Sequence, residues 1–290
     1  MSPQVIVNGL LLGGIYAAVG VGFSLTWGVL NIINIAHGAM VMLGAYVTFL
    51  LFSRFGVDPF LSIPASMLVL FLLGYVLQRF LINRVIPHGV FMTLVLTFGL
   101  SLFLIDMALL FFSGDYRSVT PSYAGSGLSL GGVIVPYQRL GAFMISILIV
   151  ALLNVYLGRS KTGRAIRATA LNRQAAQLVG VDIARIYAVT FGIGAALAGA
   201  AGSLLAVTIT ITPYMGNVFI GKAFVIATLG GLGTVQGALV GGLVLGLAES
   251  LGAALIGPSY QQAIGFGILL LVLIFRPEGI MGKQFFAEVK

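Results

Sequence analysis

From Val5 to Ser53 the chain carries no Asp, Glu, Lys or Arg. A bilayer crossing takes about 20 apolar residues, so this stretch is too long for one helix and too apolar to face water. It must contain a turn or a re-entrant segment, and the polar cluster Asn31, Asn34, His37, Gly38 is the natural break. Further uncharged stretches run from Phe60 to Gln78, Val90 to Ile105, Leu140 to Gly158, Ile186 to Gly221, Ala223 to Ala248 and Ser250 to Phe275. With 8% charged residues against about 25% in soluble domains, the chain cannot build the surface of a soluble enzyme or soluble binding domain.

Crossings are expected near 5–30, 36–53, 60–78, 90–112, 139–157, 186–209, 220–232, 237–256 and 260–275. The seventh is short and reads as a half-helix, because Gly230, Gly231 and Gly233 interrupt it. The fold class is therefore all-α: one polytopic transmembrane domain over 1–290, with about 8–9 membrane segments including interrupted or re-entrant helices. No cleavable signal pattern precedes Val5, so the first segment reads as retained. Orientation follows from the 15 Lys and Arg residues. Eleven (Arg79, Arg84, Arg159, Lys161, Arg164, Arg167, Arg173, Arg185, Arg276, Lys283, Lys290) fall on one side. Four (Arg54, Arg117, Arg139, Lys222) fall on the other, which predicts N-out and C-in. The same bias accounts for the net charge of +8 without a nucleic-acid partner.

Two connections are long. Residues 113–138, rich in Gly, Ser, Tyr and Pro with an alternating Val-Ile-Val, read as an external loop with a short hairpin. Residues 159–185 hold helix-forming Ala, Gln, Leu and Arg and face the cytoplasm in this topology. Small residues crowd the later segments at Gly192, Gly194, Gly199 and Gly202, and again at Gly237, Gly241, Gly242 and Gly246; this is how helices approach closely in lipid. Cysteine is absent, which removes thiolate metal sites and Cys nucleophiles.

Catalytic motifs dissolve on inspection. Gly127-Leu-Ser129-Leu-Gly131 matches a serine-hydrolase elbow, but the only histidines, His37 and His88, are expected near the opposite face. Gly231-Leu-Gly233 lacks the strand and third glycine of a dinucleotide fingerprint, and Ser160 stands before Lys161-Thr162 where a phosphate loop needs Gly. An intramembrane hydrolase thus has no credible nucleophile and base, and no ATP site is encoded. Charges within membrane segments are costly and mark candidate function. Asp106 and Glu249 qualify, and with Asn31, Asn34 and His37 they make the candidate translocation path. Each could equally be a structural partner or a cap. A self-sufficient channel or secondary transporter would use such carboxylates to couple an ion.

The stretch Asn172-Arg173-Gln174-Ala175-Ala176-Gln177-Leu178-Val179-Gly180 resembles the Glu-Ala-Ala-x-x-x-Gly loop by which permease subunits of ABC importers dock onto their ATPases, with Gln174 in place of Glu and without the later Ile-x-Leu-Pro. Around it, Gly13-Gly14-Ile-Tyr16-Ala17, Leu25-Thr-Trp27-Gly28-Val29, Asn34-Ile-Ala36-His37-Gly38, Met42-Leu-Gly44-Ala45-Tyr46, Lys161-Thr-Gly163-Arg164-Ala-Ile-Arg167-Ala168, Leu232-Gly233-Thr-Val-Gln-Gly237-Ala238 and Arg276-Pro277-Glu-Gly279 are similar to the LivH-type permease of branched-chain amino acid ABC importers. The resemblance spans nearly the whole chain. It implies a multi-pass protein of the bacterial inner membrane that moves branched-chain or hydrophobic amino acids inward. It also implies a second, LivM-like permease subunit, two ABC ATPase subunits that hold the ATP and Mg, and a periplasmic amino-acid-binding protein. Similar permeases carry urea or short-chain amides. On this resemblance the ATPase-coupling loop contains Arg164, Arg167, Arg173, Gln174, Ala175, Ala176 and Gly180, with the three small residues expected to seat closely against the partner.

Overall fold

The computed structural model describes residues 3–130 and 132–282, and Lys283 and Lys290 of the charge count lie outside them. The chain opens with α1 (Pro3–Leu30) and α2 (Ala36–Phe55). Next comes α3 (Ile63–Leu77), continued by a π-helical turn at Gln78–Ile82, the short α4 (Asn83–Val85) and a 3-10 turn at Ile86–His88. After α5 (Val90–Phe112), strands β1 (Gly127–Leu130) and β2 (Val133–Pro136) pair antiparallel, Leu128 opposite Val135. Then follow α6 (Tyr137–Arg159), the short α7 (Lys161–Leu171) and α8 (Arg173–Leu178), α9 (Ile183–Ala206), α10 (Met215–Gly230), α11 (Val235–Leu255) and α12 (Gln261–Phe275).

Among the described residues, 8 helical segments are long and apolar enough to cross a membrane, so the expected all-helical polytopic fold is what the chain adopts. The ninth traverse, α10, has 16 residues and rises only about 24 Å, short of a ~30 Å hydrocarbon core. In the segment before it Ile211 is fully buried, and its backbone pairs with Arg117. Two expectations change. The third crossing does not stop at residue 78 but runs on to His88, so Arg79 and Arg84 sit on a helical extension. Lys222, counted on the outer side, lies midway along α10, because that helix starts at Met215 rather than near 220.

The two ends of the bundle are distinct. Gln4 donates to the Ile134 carbonyl and accepts from the Ile134 N–H, which ties the start of α1 to the hairpin. At the other end Gly28 abuts Gly233, and the Ile280 and Met281 N–H groups donate to Leu229 and Gly230. The first and last described residues therefore lie at opposite ends.

At the centre stands α9, buried along nearly its whole length. It touches α2 where Gly199 faces Gly44 and Gly202 faces Val41, α3 where Gly199 meets Leu70, and α1 where Gly194 meets Thr26. The small residues of α11 serve both its sides: Gly242 and Gly246 press on Ala17 and Gly13 of α1, while Gly237 and Gly241 press on Gly230 and Ile226 of α10. Lipid tails are as apolar as leucine, so such close contacts rather than apolar burial hold the helices together. A methyl group at Gly44 would fall inside the Gly199 backbone. Gly44→Val is therefore expected to lower the yield and apparent Tm in detergent, because overpacking costs about 1–3 kcal/mol or more. Gly267→Val on α12, where a Cβ meets nothing, should leave both unchanged.

Candidate functional site

Glu249 is 1% exposed, well inside α11, and two residues that the sequence reading did not join to it complete its surroundings. Lys222 of α10 donates to both its carboxylate oxygens at 2.6 Å, and Tyr16 of α1 donates to Oε2 at 2.8 Å. Lys222 also donates to the Tyr16 hydroxyl at 2.7 Å and sits 4.4 Å from the centre of its ring. Three helices thus converge on one buried, charge-neutral cluster. A buried carboxylate needs such pairing, because an isolated charge in apolar surroundings is very costly. The signal in the sequence was Lys222 itself, a single cation between two long uncharged stretches. Charge bias alone places it at the outer end of a crossing, away from Glu249.

The cluster lies beneath a cleft of about 490 Å³ near the hairpin end. Tyr16 is among the lining residues, aliphatic walls come from Leu12, Ile15 and Ile209, and Asn8, Arg139 and Gln261 add polar groups. One turn of α1 separates Leu12 from Tyr16, so the cleft leads along that helix to the phenol.

The other expected path residues do not assemble with Glu249. Asn31 is exposed at the break after α1, in the left-handed region at φ 57°, a conformation asparagine tolerates. Asn34 and His37 are buried close by: His37 Nε2 lies 2.9 Å from the Val19 carbonyl, its ring meets Phe23 edge to face, and its Nδ1 and the Asn34 Oδ1 have no hydrogen-bond partner. Thr97 of α5 closes the break by donating to the Ile33 carbonyl and accepting from the Ile35 N–H. Asp106 stands exposed on α5, turned from the packed face of Leu104, Ile105 and Ala108, and forms no ion pair among the described residues.

The loop over 159–185 is ordered by three caps. Ser160 accepts from Gly163, Asn172 from Ala175 and Asp182 from Arg185, so each of α7, α8 and α9 begins on a side-chain cap. Gly180 turns the chain at φ 86°, which explains why only glycine is at ease there. The expected seating surface is corrected in one respect. Ala176 is 3% exposed and faces its own bundle, whereas Ala175, Arg164, Arg167, Arg173 and Gln174 are exposed. The residues that project are apolar: Leu171, Leu178 and Val179 are 88%, 89% and 79% exposed. Sequence reading missed them because leucine on a short helix looks like core. The Gly127–Ser129 motif sits on β1, not on a strand-to-helix turn, in agreement with its reading as chance.

Residues 5–273 match the family described as branched-chain amino acid transport system / permease component. The chain is 35% identical to the high-affinity branched-chain amino acid transport system permease protein BraD of Pseudomonas aeruginosa, over 97% of this chain and 95% of that one. It is 32% identical to the permease protein LivH of Escherichia coli with the same coverage, and 24% identical to LivM of Salmonella typhimurium over 92% of this chain and 68% of that one. No solved structure matches. Near full-length agreement in sequence leads to one conclusion: the chain belongs to the family of branched-chain amino acid transport permeases.

Proposed function

We propose that this chain is an inner-membrane permease subunit of an ABC importer, carrying branched-chain amino acids inward while ATP is hydrolysed on separate ATPase subunits. The observation that carries this reading is the trio Leu171, Leu178 and Val179, exposed on short capped helices beside Arg164, Arg167 and Arg173. These residues lie outside the membrane segments, so lipid does not account for them, and a protein groove does. Among the described residues, nine Lys and Arg (79, 84, 159, 161, 164, 167, 173, 185, 276) lie at that end, three (54, 117, 139) at the hairpin end, and Lys222 is interior. This supports a cytoplasmic loop and an external hairpin. The relatives' names supply the substrate class, and a periplasmic binding protein would deliver it at the hairpin end.

A second, LivM-like permease subunit completes the importer. Its seat in this reading is the outer face of α5, because a carboxylate facing hydrocarbon costs about 2.5–3.5 kcal/mol on insertion scales and Asp106 needs protein or water against it. The chain contains no cysteine, which makes single-cysteine tests clean. Phe103→Cys on α5 should cross-link to the second permease, and Leu148→Cys on α6 should not.

Two further outcomes check the reading. A reporter active only in the cytoplasm should work after Lys290, and one active only outside should work within 113–138; the reverse at both sites refutes the orientation. Leu178→Asp with Val179→Asp should abolish co-purification of the ATPases and uptake of labelled leucine while membrane insertion persists, since a charge driven into a packed contact is uncompensated. Undiminished association would remove the loop as the coupling surface. Ala176→Trp, by contrast, should fail earlier, at folding, because Ala176 is already packed inward.

A further inference from the structure

The glycine contacts already hold α1, α10 and α11 together without help from charge: Gly13 meets Gly246, Ala17 meets Gly242 and Gly230 meets Gly237. A buried ion pair is weak evidence for a stability role, because well-packed apolar replacements are often as stable. The pair of Lys222 and Glu249 is thus more than the packing requires. Its position is informative: Tyr16 is a lining residue of the cleft, Lys222 and Glu249 are not, and the Tyr16 hydroxyl touches both of them, so this residue links the cleft to two opposite charges. Lys222 retains 11% side-chain exposure and Glu249 retains 1%.

We propose that Lys222, Glu249 and Tyr16 form a recognition station for the zwitterionic head of an α-amino acid on its way from the cleft. An aliphatic amino acid carries adjacent positive and negative charges that cannot enter an apolar interior unpaired. An ion pair is their complement: the ligand ammonium takes Glu249, the ligand carboxylate takes Lys222, and one buried bridge becomes two with no net charge added. The Tyr16 hydroxyl accepts from Lys222 and donates to Glu249, so it keeps a bond to each as they part. The aliphatic tail lies against Leu12, Ile15 and Ile209. Neutral amides or sugars lack the paired charges, so the station selects for the zwitterion as a class and leaves the choice among aliphatic side chains to other sites. The assignment rests on the amino acid importer reading above.

The test uses the full complex, with its second permease, ATPases and binding protein, reconstituted in liposomes and assayed for labelled leucine uptake. Lys222→Met with Glu249→Gln removes both charges while keeping bulk. Lys222→Glu with Glu249→Lys restores a bridge of reversed polarity. A mere structural pin works in either direction, whereas a station presents the reversed pair to the wrong ends of the ligand. The expected result is that at least one double variant co-purifies with its partners at wild-type yield yet transports leucine about tenfold more slowly or worse, the scale of one lost charge-assisted hydrogen bond. Wild-type uptake by either assembled variant overturns the station. Failure of both to assemble also overturns it, because the pair is then what holds the helices. If the wild-type complex itself ignores leucine, the importer reading fails first and the station falls with it.

Discussion

Backbone approaches backbone throughout this bundle, and everything else in it depends on that. In lipid no hydrophobic force draws one apolar helix to another, so attraction must come from many short van der Waals contacts. Gly44 against Gly199, Gly202 against Val41 and Gly13 against Gly246 supply them by removing the side chain from the contact. The result is a spine, α9, with almost no free surface, surrounded by helices whose outer faces carry the large residues. Leu68, Leu72, Leu148 and Leu152 lie on those outer faces, each more than half exposed.

Close approach also decides where polarity is tolerated. Between α1 and α2 the chain leaves helical geometry, and the freed backbone groups of Ile33 and Ile35 are met by the Thr97 hydroxyl. That is the condition under which a non-helical segment persists at membrane depth. Asn34 and His37 are buried in the same region, and His37 Nε2 is held by the Val19 carbonyl. Glu249 presents a different case, with every oxygen engaged. The contrast separates a polar site that shapes the chain from one that is built around charge.

Much of this was legible in the sequence, and the reasons are physical. Uncharged runs longer than one crossing forced the break near Asn31, and the glycines at 230, 231 and 233 marked the turn between α10 and α11, because each reports a local constraint. The small-residue stripe of α11 was readable as a packing surface, but not as two surfaces, since which side meets which neighbour is a tertiary fact. Lys222 was misplaced because charge bias assigns a lone cation to the nearest water, and nothing local says that Glu249 is closer. Asp106 and Glu249 looked alike in sequence. Only helix rotation tells an outward carboxylate from an inward one.

The loop of 159–185 shows how an exposed segment between long helices is made stiff. Ser160, Asn172 and Asp182 each lock the first turn of a helix, a contribution of about 1 kcal/mol apiece. Gly163 meets the backbone of Leu157, which folds α7 back on α6, and Arg173 lies 5.5 Å over the Tyr187 ring, which holds α8 against α9. Between the exposed Leu178 and the start of α9 at Ile183 stand only four residues, one of them the constrained Gly180. A displacement at Leu178 therefore has little slack in which to dissipate before it reaches the helix against which α1, α2 and α3 pack. The apolar knobs and the central spine are adjacent parts of one stiff path, which is the geometry the ATPase-driven reading proposed above calls for.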